Sequence, residues 1–558
     1  MHDELSSPSK MKPTILRRVR RRIPLTVTPV FQALLLTSAS IVSISAQATD
    51  LTWFDGVALR SQAHAVISEL RSSESHGLDP RRYALDLPDT QVQQVLAGDA
   101  MDSALRERFD AALAKAVSMF LADLHDGRID PSAAGFHLSR TKGAFDAAQA
   151  ARLLAHAADV RAAIAAHEPS VLPYRRLKEA LTRYRELAEG HDFASLPAPS
   201  PRSLREGDAY DGVIPLRTLL RALGDLEPGA CTEATTTFDA CLSEGVRRFQ
   251  KRHGLTEDGI IGPKTFAELN VPLPRRVRQI ELTMERWRWV SAMPKPDIVV
   301  NVPQFVLYAL PRSRFGETSA MEMRVIVGQS GPNMRTPVFA EEIEYVVFQP
   351  FWDVPASITR RELLPLIRKD PSYLTRNDME IVRGWSDSAK AIEPTEEVLD
   401  QLAAGQLRLR QRPGAKNALG SIKFIMPNPH NVYLHATPNV DLFERSRRAF
   451  SHGCIRVSQP AQLAEYVLKS AQGEWSAETI EAALCDPVTK RVDLTTPVPV
   501  LIFYGTAVVS EADGILFFED IYGHDARLDQ LLRKAQAKPE TARKTSADFA
   551  NRPRTVAE

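Results

Sequence analysis

The chain has 558 residues, enough for several domains at roughly 100 to 200 residues each. With 44% hydrophobic and 25% charged residues its composition is globular, which excludes a collagen-like, coiled-coil or wholly disordered chain. Lys plus Arg (70) nearly cancels Asp plus Glu (69), which argues against a general nucleic-acid binder, because that needs a basic excess to displace counterions from phosphates.

The basic charge is concentrated at the start. Residues 1–48 hold Lys10, Lys12, Arg17, Arg18, Arg20, Arg21 and Arg22 against Asp3 and Glu4, and without them the net charge moves from +1 to −4. An uncharged stretch from Ile23 to Ile44 follows, then Ser45-Ala46-Gln47-Ala48, with small residues one and three positions before a cut. This order predicts a signal peptide over 1–48, cleaved after Ala48, that takes the body of the protein out of the cytoplasm. The alternative is an uncleaved anchor, since the apolar run is about as long as a membrane span, although Pro24 and Pro29 weaken it. Export favours paired thiols. Cys231 and Cys241 bracket a Thr-rich segment and form the disulfide candidate, a loop closure worth roughly 3 kcal/mol. Cys485 is expected to be a small buried apolar residue at a helix end.

Residues 49–200 read as a helical domain, with apolar residues at helical spacing in Leu105, Phe109, Leu113 and Ala116. Two phrases interrupt it, Gly77-Leu78-Asp79-Pro80 and Asp126-Gly127-Arg128-Ile129-Asp130-Pro131, where Gly ends one helix and Asp-Pro opens the next segment. A Pro- and Ser-rich stretch from Leu196 to Ser203 reads as a linker. Residues 211–272 form a small helical unit containing Phe249-Gln250, Gly254-Leu255, Asp258-Gly259, Gly262, Thr265 and Leu269-Asn270. This pattern resembles the peptidoglycan-binding domain, a three-helix module. Phe249 anchors a helix, Gly254 supplies its left-handed end, and Asp258-Gly259 turns the chain into a helix starting near Pro263. These roles are architectural and support the fold better than they support glycan binding.

After a charged helix with Glu285, Trp287 and Trp289, Val- and Ile-rich strands are expected at 297–302, 305–310, 323–327 and 343–348. A helix-prone insertion over about 352–419 opens on Thr359-Arg360-Arg361-Glu362, read as a capping box. Strand signals resume at 421–424 and 432–435, then at 498–504 and 515–518. The tail over 534–558 reads as disordered.

In Val432-Tyr433-Leu434-His435, alternation sends Val432 and Leu434 to the core face and Tyr433 and His435 to the other. In Ser451-His452-Gly453-Cys454-Ile455-Arg456-Val457 the same alternation sets Ile455 and Val457 against Cys454 and Arg456. If the two strands are neighbours, a thiol and an imidazole share one surface, and an imidazole that takes the thiol proton makes a nucleophile. Gly453 leaves the backbone bare, so the N–H groups of Gly453 and Cys454 can approach a developing oxyanion. A metal site from His430, His435, His452 and Cys454 lacks the usual ligand spacing.

A strand His followed by Ser-His-Gly-Cys resembles the L,D-transpeptidase catalytic domain of YkuD type. Asn417-Ala-Leu-Gly420, Phe424-Ile-Met-Pro427, Tyr433-Leu-His-Ala-Thr-Pro438, Ala449 to Val457 and Thr336-Pro337 are similar to the large periplasmic murein L,D-transpeptidases. The resemblance implies a multidomain α+β protein with a helical scaffold domain (49–200), a three-helix peptidoglycan-binding-like module (211–272) and a mixed β-sheet catalytic domain (296–480). A helical cap (about 352–419) is inserted in that domain, and a C-terminal β extension (481–533) follows it.

The same resemblance makes Cys454 the nucleophile, His435 the general base and acid, and Gly453 part of the catalytic turn. Tyr433, Arg456 and His452 then bind substrate, Arg456 through a bidentate grip on a carboxylate. The implied donor is a peptidoglycan tetrapeptide that loses D-Ala, the acceptor a second stem peptide, and the product a 3→3 cross-link. A thioester intermediate needs no ATP, and no cofactor is implied. Many relatives have Gly or Asp where Ala436 stands, and many smaller ones have Asn in place of Arg456. The competing readings are an L,D-carboxypeptidase, a wall cysteine peptidase, or a non-catalytic peptidoglycan-binding structural protein. The aromatics Trp352, Tyr373 and Trp385 either line a substrate channel or pack within the cap.

Overall fold

Apolar side chains at helical spacing build the amino-terminal core. A computed structural model describes residues 51–536 apart from 139–144, 191–192, 194, 200–202, 228, 231–235, 292 and 313–320. The expected signal segment 1–48, Cys231 of the disulfide candidate and residues 537–558 lie outside the described residues, whereas Cys241 is disulfide-bonded. Residues 534–536, expected to be disordered, end a helix that runs over 524–536. Among the described residues no helix is long and apolar enough to cross a membrane.

A short hairpin of β1 (Phe54–Asp55) and β2 (Ala58–Leu59) precedes the helices. The helix Ser103–Asp126 is capped by Asp102, whose carboxylate accepts the Leu105 N–H at 2.7 Å. It buries Phe109, Leu113, Val117, Phe120 and Leu124 on one face, against Trp53, Val66 and Leu154. The helix Leu172–Gly190 departs from the sequence-based boundary, because its buried Tyr174, Leu177, Leu181 and Tyr184 join the core of the next module.

That second core contains Leu220, Leu242, Val246 and Phe249. The Gln250 carboxamide locks the turn after its helix, donating to Asp258 Oδ1 at 2.8 Å and to the Ile260 carbonyl at 3.0 Å while accepting the Gly259 N–H at 2.8 Å. The stretch read as a linker is tied down by Tyr210, which donates to the Pro197 carbonyl at 2.7 Å, and by buried Leu196.

The helix Leu273–Val290 runs between the cores. Ile280 and Met284 enter the second one, and Leu282 and Trp289 enter that of the large sheet that follows. Glu285 and Arg288, 2% and 1% exposed, face the scaffold. Glu285 Oε1 accepts the Arg128 and Ile129 N–H groups at 2.5 and 3.0 Å, and Oε2 takes Arg288 Nη1 at 3.0 Å. Arg288 Nη2 donates to the His76 carbonyl and the Tyr174 hydroxyl. A buried ion pair persists only when its remaining donors and acceptors are satisfied in this way.

The strands of the next region are β3 (Ile298–Asn301), β4 (Val306–Ala309), β5 (Met321–Gly328) and β6 (Phe339–Phe348). The inserted segment holds β7 (Trp352–Asp353), β8 (Met379–Val382), β9 (Ala391–Ile392) and β10 (Arg408–Gln411). Then come β11 (Ile422–Ile425), β12 (Leu434–His435), β13 (Ala449–Ser451), β14 (Ile455–Val457) and β15 (Lys490–Phe503). A hairpin of β16 (Ala507–Ser510) and β17 (Gly514–Phe517) follows.

The main sheet has the order β13-β5-β14-β12-β11-β6-β15-β3-β4, and β4 also pairs with β5, so the sheet closes on itself. Closure leaves β13, paired only with β5, as the outlying strand and directs Val300, Leu307, Val325, Ile343, Phe424, Leu434, Ile455 and Val500 into one core. The region expected as a C-terminal extension supplies an internal strand, since β15 pairs antiparallel with β6 and parallel with β3.

The cap has its own core of Ile367, Ile381, Leu399 and Leu409, and besides its helices it carries the four-stranded sheet β7-β10-β8-β9. Strands of two to four residues, several of them polar, left no run long enough to read as strand from sequence. The expected capping box does not form. Thr359 lies inside a wide helical turn, Thr359–Leu363, and donates to the Val354 carbonyl at 3.4 Å, which leaves Glu362 directed elsewhere.

Replacing Glu285 with Ala strands Arg288 and two amide donors in the interior, a loss of about 3–5 kcal/mol. The first thermal unfolding transition of Glu285→Ala is therefore expected well below that of the wild type by calorimetry. Glu285→Gln, which keeps an acceptor for the Arg128–Ile129 turn, falls in between.

Candidate active site

The parallel pairing of β12 with β14 sets Leu434 beside Ile455 and His435 beside Arg456. Leu434 and Ile455 are fully buried in the core, so His435 and Arg456 take the opposite face. One residue earlier the Tyr433 carbonyl accepts the Ile455 N–H at 3.1 Å, which sets Tyr433 beside Cys454. On the other flank β11 pairs Lys423 with His435. Three neighbouring strands thus present Lys423, His435 and Arg456 in one row, with Tyr433 and Cys454 two residues back along the chain.

His435 is buried at 4% exposure. Its Nδ1 lies 2.6 Å from the Ala436 carbonyl oxygen, and because a carbonyl only accepts, Nδ1 carries the proton and Nε2 is the basic nitrogen. Burial, the Arg456 guanidinium and, more weakly, Lys423 hold the imidazole down at about 3, against the opposing pull of the Ala436 and Leu419 carbonyls. Burial pushes the Cys454 thiol up to about 11, with Tyr433 and Arg456 pulling the other way. Both groups are therefore neutral near pH 7, and the site rests as thiol and imidazole instead of an ion pair. The thiol Sγ meets the Asn431 carbonyl at 3.6 Å and the Tyr433 side chain. Burial also lowers Lys423 and Arg456, and Arg456 Nε lies out of solvent without a hydrogen-bond partner.

The turn that carries Cys454 is held from behind. Gly453 has φ +121°, a backbone conformation that side chains rarely adopt. Its N–H donates to Ser451 Oγ at 3.1 Å, and Ser451 Oγ in turn donates to the Cys454 carbonyl at 2.5 Å. The expectation that both Gly453 and Cys454 amides face an oxyanion is thereby corrected. The Ser451 hydroxyl occupies the Gly453 N–H, and the Cys454 N–H is the amide of the pair without a protein partner among the described residues.

The Gly453 carbonyl accepts from Thr336 Oγ1 at 2.8 Å, and Thr336 Oγ1 accepts from the Gly328 N–H at 2.9 Å. Tyr522 closes the bracket, donating to the Gly328 carbonyl at 2.6 Å and accepting the Thr336 N–H at 3.2 Å. A Cβ on Gly328 would sit 2.0 Å from the Met334 carbonyl oxygen, so only glycine lets β5 approach this loop. Sequence reasoning missed Ser451, Thr336, Tyr522 and Lys423 as parts of the site. The available signals were the Thr336-Pro337 phrase and the place of Ser451 at the head of the Ser-His-Gly-Cys motif.

His452 lies on the outer side of the turn, where Nε2 donates to Glu362 Oε1 of the cap at 2.8 Å, a half-exposed contact. Trp352 and Tyr373 pack against the cap core, while Trp385 is 79% exposed with the Arg408 guanidinium 4.9 Å from its ring centre. Its loop is held by Arg410, which donates to the Ser386 and Ala389 carbonyls at 2.9 and 2.8 Å. Asp387 in the same loop acts electrostatically on Lys423. Cys485, expected to be buried, is an exposed free thiol at the end of the helix Ala477–Cys485, where the chain leaves the core before Asp486. Among the described residues no group of three or more His, Cys, Asp or Glu side chains is arranged to hold a metal ion.

Residues 295–500 match the family described as L,D-transpeptidase catalytic domain (YkuD). Residues 45–181 match the family described as Scaffold domain, and 210–269 the family described as "Putative peptidoglycan binding domain". The chain is 35% identical over 232 residues to a Haemophilus influenzae protein named "Putative L,D-transpeptidase", a stretch covering 42% of this chain and 45% of that protein. It is 41% identical over 83 residues to a Mycobacterium tuberculosis protein named "N-acetylmuramoyl-L-alanine amidase CwlM", covering 13% of this chain and 20% of that one. The chain thus spans less than half the length of the curated relatives it matches.

A thiol at about 11 and an imidazole at about 3 make a prediction for the free protein. The rate of Cys454 alkylation by iodoacetamide, followed by peptide mass spectrometry, is expected to climb about tenfold per pH unit from pH 7 to 10. A plateau from pH 6 upward would instead reveal a preformed thiolate–imidazolium pair.

Proposed function

From a chain that carries a YkuD L,D-transpeptidase catalytic domain beside a scaffold domain and a peptidoglycan-binding domain, we propose an enzyme that joins peptidoglycan stem peptides through a thioester on Cys454. The donor is a tetrapeptide stem, D-Ala is released, and a side-chain amine of a second stem accepts the acyl group to form a 3→3 cross-link. The reaction takes place in the periplasm, which the arginine run and apolar stretch of residues 1–48 support. The observation that carries this reading is a neutral His435, basic at Nε2, on the strand parallel to the one that Cys454 leads into.

Each step uses a property of the site. As the donor carbonyl comes against Sγ, the thiol proton passes to His435 Nε2 while the carbon–sulfur bond forms. Negative charge moves to the carbonyl oxygen, where the Cys454 N–H, the Tyr433 hydroxyl and the Arg456 guanidinium supply positive dipole or charge. The imidazolium is disfavoured by burial and by Arg456 and Lys423, so it gives its proton readily to the departing D-Ala nitrogen as the carbon–nitrogen bond breaks. In the second half the acceptor amine attacks the thioester, His435 takes the amine proton, and Cys454 leaves and regains it. The free Nε edge of Arg456 suits a stem carboxylate, and the outward position of His452 beside Glu362 suits contact with the incoming peptide. The peptidoglycan-binding domain holds the enzyme near its polymer.

Intact-protein mass spectrometry after incubation with a purified disaccharide-tetrapeptide tests the reading. The wild type is expected to gain an acyl adduct and yield a cross-linked dimer lacking one D-Ala, and Cys454→Ala to do neither. In His435→Gln acylation falls by about 10²- to 10⁴-fold, the usual contribution of a positioned acid–base group. A shortened tripeptide without dimer would move the assignment to an L,D-carboxypeptidase, and a protein that binds sacculi without adduct or product would be a structural one.

A further inference from the structure

Lys178 and Lys423 are the lysines that are not exposed among the described residues. Lys178 is matched, its ammonium donating to both oxygens of Glu168 at 2.7 and 2.9 Å. Lys423 is half-buried beside His435 and makes no hydrogen bond or ion pair with a described residue. Its Nζ still reaches solvent, so the ammonium opens onto free space and not onto protein. Asp387 of the cap loop acts on it from beyond salt-bridge distance and is itself exposed. Burial without a counter-charge loosens the ammonium's hold on its proton, and a carboxylate brought against Nζ removes that cost.

The strand order indicates which carboxylate that is. β14, which Cys454 leads into, lies beside β12 with His435, and β12 lies beside β11 with Lys423. Neighbouring strands stand about 4.8 Å apart. A donor whose carbonyl is at Sγ and whose leaving nitrogen is at His435 therefore crosses the strands in the direction of Lys423. After that nitrogen come one α-carbon and then the terminal carboxylate, within reach of a side chain with a flexible four-carbon stem. Arg456 stands on the opposite flank of His435, on the strand of the nucleophile, which leaves it for a carboxylate on the acyl side.

We infer that Lys423 binds the terminal carboxylate of the leaving residue and so selects donors that end one residue past the attacked carbonyl. This rests on the transpeptidase reading and adds to it a residue that determines donor specificity. The two cations beside His435 then have separate tasks, Lys423 on the leaving group and Arg456 on the part of the donor that stays.

The test compares two donors on the full-length protein, a disaccharide-tetrapeptide with a free terminal carboxylate and the same compound ending in a carboxamide, with acylation followed by intact-protein mass spectrometry. The wild type is expected to prefer the acid in kcat/KM by about ten- to a hundredfold, the range of a hydrogen bond to a charged group. In Lys423→Met, which keeps the length of the stem and loses the charge, the ratio between the two donors is expected to collapse, and Lys423→Arg restores most of it. A lysine that acted only on the His435 imidazole or on folding would change both donors alike and leave the ratio intact. Thermal melts identify a variant that fails to fold, and Lys423→Gln then replaces it. Equal use of acid and amide by the wild type, or a preference for the acid that survives in folded Lys423→Met, overturns the inference while the transpeptidase reading stands. A wild type acylated by neither donor overturns that reading and the inference with it.

Discussion

A parallel pairing only two residues long on its β12 side governs the candidate site. Shifting β12 by one residue against β14 would turn His435 into the core and Leu434 out of it, because strand side chains alternate. The register is secured from both faces. Leu434, Ile455 and Val457 are sealed in the sheet core, and on the other face the Ala436 carbonyl fixes the imidazole. Sheet closure adds a second constraint, since β14 is clasped between β12 and β5, and β5 is tied in turn to β4. The geometry of thiol and imidazole is thus inherited from a closed sheet, with little left to loop conformation.

The electrostatics follow from that geometry. Two cations flank one imidazole across adjacent strands, and few arrangements would suppress its protonation more firmly. The same cations favour any negative charge that forms nearby, whether on sulfur or on a carbonyl oxygen. The resting site therefore holds a neutral thiol and a neutral imidazole near pH 7. The contrast with Glu285 is instructive. There a buried carboxylate is fully met by Arg288 and two amides, and it serves to join scaffold to sheet. At Arg456 the enclosed Nε is left unmet among the described residues.

How much of this was readable in advance depends on sequence distance. Tyr433, His435, Cys454 and Arg456 sit in two short strands whose alternation is visible residue by residue. The strand-rich region, the helical region and the existence of an insertion followed from local composition in the same way. Ser451, Thr336, Gly328 and Tyr522 form a bracket assembled from β5, the loop after it, the turn itself and the segment after β17, and no local pattern announces contacts between residues almost 200 positions apart. Lys423 was hidden for a related reason, since only the strand order makes it a neighbour of His435. The Thr359 capping box failed because the cap bends the chain into a wide turn there, and Glu362 reaches across to His452. Helix Leu172–Gly190 shows the limit for domain boundaries, because helical spacing states which face is buried and is silent about the partner.

The order of the sheet has a consequence for how the chain comes into being. Cys454 and His435 are synthesised before β15, which fills the gap between β3 and β6, and before Tyr522, whose hydroxyl braces the loop behind the Cys454 turn. A growing chain that already contains both residues still has an open sheet and an unbraced thiol. The site reaches its final form only after Tyr522 has been made, so a chain that stops short of it carries the thiol and the imidazole without the bracket that sets their turn.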